Sequence, residues 1–160
     1  MTRILLVDDS KQWRLRERSI LEAVPSFRVM GEARDGLEAI EQSSRLNPDI
    51  VLLDIGMPVL NGLEAAKQIR KDSPSVQVVF VTQDADADIK NAALATGAAG
   101  YLLKANAMRE LLPAIKAALR SGHDRPPTEP AAYGPTWRSV GHRAESPRDD
   151  VQDLLDGHAV

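Results

Sequence analysis

The sequence contains no cysteine, which removes disulfides, thiolate catalysis and cysteine metal sites. Its histidines, His123, His142 and His158, all lie after residue 120, so the preceding body offers no zinc-type donor set. No apolar run approaches the roughly 18 residues of a membrane span, and Met1 to Val7 has none of the build of a signal peptide. A cytoplasmic location is expected, with no membrane partner. Nor is there a strong excess of either charge: the net value is −3, too small to draw the chain to nucleic acid or an anionic surface.

What is present is ordinary globular material, 43% hydrophobic and 27% charged over 160 residues, enough for one compact domain with an appendage. Composition changes near Ser121-Gly122. Residues 1–120 carry 16 basic and 16 acidic side chains, while 121–160 carry 4 and 7. The tail also holds Pro126, Pro127, Pro130, Pro135 and Pro147, too frequent for an ordinary helix. Disorder or an extended linker is expected there. A short helix near 150–155 is the exception, from the spacing of Val151, Leu154 and Leu155. Tyr133 and Trp137 could anchor a partner, but a solvated remnant fits the composition better.

Within the body, short apolar runs recur at Ile4 to Val7, Phe27 to Met30, Ile50 to Leu53, Val76 to Val81 and Ala99 to Leu103, each reading as a buried strand. Helical stretches alternate with them: Ser10 to Val24, Gly36 to Leu46, Gly62 to Lys71, Ala85 to Thr96 and Ala107 to Leu119. The last is expected to be capped by Asn106, closed by Gly122 and disturbed by Pro113. Five strand-then-helix units predict a parallel sheet covered on both faces, a doubly wound flavodoxin-like α/β domain with strand order 2-1-3-4-5 and five helices. Ligands of such folds sit outside the carboxyl ends of the strands.

Those ends are the informative part. The first strand runs into Asp8-Asp9, the third into Asp54, the fourth into Thr82 and the fifth into Lys104. Parallel strands share one carboxyl edge, so three carboxylates, a hydroxyl and an ammonium converge. Close carboxylates repel by about 4 kcal/mol per pair at an effective dielectric of 20. Lys104 offers one compensating charge and a hard divalent ion would offer two, which is the magnesium pattern. A carboxylate in such surroundings can attack phosphorus, because cation and lysine absorb charge on the phosphoryl oxygens. Taken singly these residues have plainer roles. Asp8, Asp9 or Ser10 could cap the first helix, Thr82 could be a loop anchor and Lys104 a solvated strand end; Asn61 is the natural cap of the third helix.

The ordered set Ile4-Leu5-Leu6-Val7-Asp8-Asp9, Leu52-Leu53-Asp54-Ile55-Gly56-Met57-Pro58, Asn61-Gly62, Thr82 and Gly100-Tyr101-Leu102-Leu103-Lys104 resembles the receiver domain of bacterial two-component response regulators, over about residues 2–120. The resemblance implies that Asp54 is the phosphoacceptor, served by a sensor histidine kinase. It also implies that Asp8, Asp9, Asp54 and the Gly56 carbonyl hold Mg2+, and that Thr82 and Lys104 bind phosphoryl oxygens. Thr82 and Tyr101 would then switch the face of helix 4, strand 5 and helix 5 toward a downstream protein or a second copy. Tyr101 as plain core packing is the simpler alternative. Turnover beyond self-phosphorylation and autodephosphorylation at Asp54 is not expected.

Some residues depart from the family pattern. Gln83 is larger than usual and would narrow access to the phosphate, Ala105 replaces a frequent proline, and Gly56 and Asp84 flank the path of hydrolytic water. The wording is most like receivers that precede a helix-turn-helix module. Residues 121–160 lack the periodic helices and basic surface of such a module, so no direct nucleic-acid binding is expected. Two rival functions are weaker. A phosphohydrolase with an aspartyl nucleophile would want an acid where Gly56 stands, and a flavin binder would want a phosphate-cradling loop where Asp8-Asp9 would repel one.

Overall fold

In the computed structural model, which describes residues 1–124, the five apolar runs become β1 (Thr2–Val7), β2 (Phe27–Ala33), β3 (Ile50–Leu53), β4 (Gln77–Thr82) and β5 (Gly100–Leu103). All pair in parallel, in the order β2-β1-β3-β4-β5. Helices α1 (Lys11–Glu22), α2 (Gly36–Leu46), α3 (Gly62–Asp72), α4 (Ala87–Ala95) and α5 (Ala107–Asp124) alternate with them. The central strands β3 and β4 are buried along their whole length, as strands covered on both faces must be.

The two faces of the sheet bury separate cores. Leu5, Val7, Val51, Leu53, Val78 and Phe80 point toward the α2, α3 and α4 side, where Ala39, Ala65, Ala66, Ile69 and Ala93 meet them. Ile4, Leu6, Leu52, Val79 and Leu102 point the other way, against Leu21 of α1 and Leu111, Ile115 and Ala118 of α5. Period-2 alternation along each strand sorts residues between the two sides.

Several expected element ends move. β2 extends past Met30 to Ala33, with a register irregularity opposite Ile4 and Leu5. Gly31, Glu32 and Ala33 escape an apolar-run reading because β2 is the sheet's edge and need not be apolar. Asn106 does not cap α5: Lys104–Asn106 form a 3-10 turn, and the Asn106 carbonyl oxygen of the side chain accepts from Arg109 at 3.4 Å. Gly122 does not close α5, which runs through it to Asp124. The helix also continues through Pro113. Ser10 and Asn61 are N-caps, accepting from Trp13 N and Glu64 N. α4 starts two residues late because Asp86 caps it. The expected helix near 150–155, Tyr133 and Trp137 lie outside the described residues.

Candidate functional site

The carboxyl edge brings together Asp8, Asp9, Asp54, Thr82 and Lys104. Val7 pairs with Leu53 and Thr82 with Leu103, so the residues that follow β1, β3 and β5 are neighbours of Thr82. The Asp54 amide donates to the Val7 carbonyl at 3.0 Å, and the Asp8 amide to the Ala33 carbonyl at 3.1 Å. Continued ladder bonds thus hold both carboxylates just beyond the strands. α3 is pressed against the same place. A Cβ on Gly62 would lie 1.9 Å from the Asp54 carbonyl oxygen, an approach only glycine allows.

Asp8 and Asp54 are buried, while Asp9 is exposed. One carboxylate oxygen from each of the three lies within 4.8 Å of the others. Asp8 Oδ1 accepts from the Ser10 amide and Asp54 Oδ1 from the Ile55 amide, both at 2.8 Å. Their other oxygens face Lys104, whose Nζ lies 2.6 Å from Asp8 Oδ2 and 3.4 Å from Asp54 Oδ2. Burial pushes the Asp8 carboxyl above its ordinary range, against the pull of Lys104 and the Ser10 amide. Burial would lower Lys104, but its hydrogen bond to Asp8 and the charges of Asp54 and Asp8 outweigh that and hold it above the usual value. The ammonium therefore stays charged.

The donor set suits a hard divalent ion. Three carboxylates against one ammonium leave two negative charges uncompensated, and every donor is an oxygen, as magnesium prefers. Beside the carboxylates a cleft of about 310 Å3 is lined by Asp54, Ile55, Gly56, Thr82, Gln83 and Asp84. Thr82 is buried, and its hydroxyl accepts from the Asp84 amide at 3.3 Å. Tyr101 is half-buried against the α2–α4 side core, and its hydroxyl donates to the Asp84 carbonyl. Thr82 and Tyr101 thus hold the same loop residue from two strands. Burial raises the Tyr101 pKa, helped by Asp84 and Asp86.

Three residues of α1 were not picked out from the sequence as part of this site. Arg14 is buried; its Nη1 donates to the Asp8 carbonyl at 2.6 Å and its Nε lies 3.6 Å from Glu32 Oε1. Trp13 places its ring centroid 5.1 Å from Lys104 Nζ. Glu17 is 2% exposed. Burial above all pushes its carboxyl from 4.5 to about 8, against the pull of Trp13 and Lys104 and with the push of Asp8 and Asp54. The signal was there: Glu17 falls between Trp13 and Leu21 on the stripe that also holds Ile20, where a charge has no place on a helix face turned to the core.

Comparison with known proteins agrees with this geometry. Residues 4–116 match the family described as response regulator receiver domain. The transcriptional regulatory protein LiaR of Bacillus subtilis is 34% identical over 146 residues, covering 91% of this chain and 68% of LiaR. The nitrate/nitrite response regulator NarP of Escherichia coli is 38% identical over 115 residues, 71% of this chain and 53% of NarP. The chain spans 63% of LnrK from Bacillus subtilis and 50% of DegU from Brevibacillus brevis. Among solved structures, a LuxR-family response regulator from Aurantimonas superposes with a TM-score of 0.72 at 34% identity, covering 76% of this chain and 87% of that one. The response regulator domain of Thermotoga maritima CheB gives 0.69 at 35% identity, with 79% and 99% covered. Among the described residues no helix is long and apolar enough to cross a membrane. Receiver domains bind Mg2+ at an acidic aspartate cluster of this kind and work with histidine kinases and downstream effectors. By fold, by site and by sequence the chain belongs to the response regulator receiver family.

Proposed function

We propose that Asp54 is the phosphoacceptor of a cytoplasmic phosphorelay. The observation that carries this is the single ammonium of Lys104 shared between Asp8 and Asp54, 2.6 and 3.4 Å away, where Asp54 in turn lines a cleft together with Thr82. An Asp54 carboxylate oxygen attacks phosphorus and forms an acyl phosphate. The bond from phosphorus to the donor breaks, its electron pair leaving with the donor group: the imidazole of a sensor histidine kinase or the leaving group of a small phosphodonor. Lys104 and the Thr82 hydroxyl stabilise charge on the transferred oxygens. Asp8, Asp9, Asp54 and the Gly56 carbonyl would hold Mg2+, which supplies further charge neutralisation when bound.

The new phosphate carries about −1.5 to −2 charges, enough to pull Thr82 and release its hold on Asp84. Tyr101 shares that loop residue, so the change reaches β5 and the adjoining faces of α4 and α5, where a downstream protein or a second copy would bind. Gly56 leaves no acid in the cleft at that position, which favours a switch over a hydrolase. Incubation with Mg2+ and a small phosphodonor should add one phosphoryl mass, stable to acid and labile to base. Asp54→Asn should abolish uptake; equal labelling of that variant would refute the assignment, and multiple-turnover phosphate release would indicate a hydrolase.

A further inference from the structure

The family signature accounts for Asp8, Asp9, Asp54, Thr82 and Lys104, yet it leaves unexplained why α1 sets a half-buried Trp13 and a buried Glu17 beside them. Lys104 carries its charge on a flexible four-carbon stem whose ordering costs rotamer freedom. Two carboxylates on one side of its ammonium do not by themselves fix the position of that charge. Trp13 supplies a contact of another kind. Its ring centroid is 5.1 Å from Lys104 Nζ, inside the range of about 6 Å in which an indole face attracts a cation.

The ring is itself held in place. Its backbone amide donates to Ser10 Oγ at 3.2 Å, which fixes it in the first turn of α1. It packs against the core that contains Leu102, Leu111 and Ile115. Its indole Nε1 and Glu17 Oε2 are both buried without a partner in full hydrogen-bond geometry, yet the indole N–H is near enough to favour the Glu17 carboxylate. The buried Glu17 side chain thus lies one turn along α1 from the ring, on the same face.

We propose that Trp13 is a positioning residue for Lys104: its indole face holds the ammonium between Asp8 and Asp54. The proposal rests on the phosphoacceptor reading of Asp54 and deepens it. Lys104 must pass from the carboxylates to the incoming phosphoryl oxygens, and the ring keeps it at one height through that exchange.

The test uses the full chain carrying Trp137→Phe, so that Trp13 is the remaining indole of the two in the sequence. Phosphoryl uptake from a small phosphodonor with Mg2+ is followed by intact mass in Trp13→Tyr, Trp13→Phe and Trp13→Leu. A cation–ring contact of this kind corresponds to about a three- to tenfold loss of rate in the leucine variant, with tyrosine and phenylalanine keeping most of the rate. Leucine at the parental rate overturns the proposal, as does equal loss in phenylalanine and leucine, which would make volume and not the ring face the cause. Should the leucine variant fail to fold, Trp13 emission decides. Mg2+ alone, which competes with Lys104 for Asp8, should change that emission, and Lys104→Met should abolish the change. Unchanged emission, or the same change without Lys104, overturns the proposal. Absence of uptake in the parent would instead sink the phosphoacceptor reading, leaving the emission response to judge Trp13 separately.

Discussion

The two ends of the sheet both carry charge, and they use it differently. At the amino end, Arg3 and Asp49 form a pair 3.8 Å apart whose side chains are 38% and 42% exposed. Asp49 Oδ2 accepts from the Arg3 amide at 2.8 Å, and the guanidinium donates to the Leu46 and Asn47 carbonyls. Both charges are answered by each other, by backbone and by solvent, so the group serves register. At the carboxyl end three carboxylates cluster and two of them share one lysine, with Lys104 and Asp8 side chains 10% and 1% exposed. Like charges left under-compensated cost stability, and the cost is tolerated where an ion and a phosphoryl group are to be received.

The largest expected break in this contrast is Lys104→Met. Removing the cation strands two buried carboxylates and should lower unfolding free energy by about 3 kcal/mol in urea titrations without Mg2+, with phosphoryl uptake lost as well. Glu17→Gln comes next. The folded form holds the Glu17 proton up to about pH 8 and the unfolded form only to about 4.5. Stability contributed by that proton is therefore complete below pH 4.5 and lost as pH rises toward 8. The raised Asp8 carboxyl acts in the same direction. Glutamine should flatten the fall, a difference on the order of 2–3 kcal/mol at the alkaline end of a pH series of melts; a parent whose stability rises across that window would contradict it.

Val59 offers a smaller effect at the same end. It is a β-branched residue at φ 68 and 73% exposed, in the loop between Asp54 and α3. Asparagine tolerates that left-handed conformation, so Val59→Asn should raise stability by about 1 kcal/mol in thermal melts. The smallest effect belongs to the amino end, where Asp49→Ala should cost about 0.5–1 kcal/mol and leave phosphoryl uptake unchanged. A loss there as large as that of Lys104→Met would erase the contrast between the two ends.

Much of the site was legible because a parallel sheet turns strand endings into neighbours. Ile4 to Val7 and Ile50 to Leu53 read as strands from apolarity alone, and the residues after them, Asp8-Asp9 and Asp54, followed. Gly31 to Ala33 did not read as strand, since an edge position lacks the two-sided burial that makes a sequence apolar. The 3-10 turn at Lys104–Asn106 was hidden because Asn106 is as good a cap in sequence as it is a turn residue in space. Glu17 was overlooked because a charged residue in a helix normally faces water.

The order of the chain by itself determined which residues lie at the carboxyl edge, because strand length and period fix where each strand stops. It determined the helix cap Asn61 and narrowed the cap of α1 to Asp8, Asp9 or Ser10, because capping is local; the structure selects Ser10. Only the tertiary structure decided that Lys104 would be shared between Asp8 and Asp54, 50 residues from the latter, and that Trp13 would face it. Those pairings depend on how α1 packs beside β1, β2 and α5 and how deeply the groups are buried, and burial belongs to the packed whole.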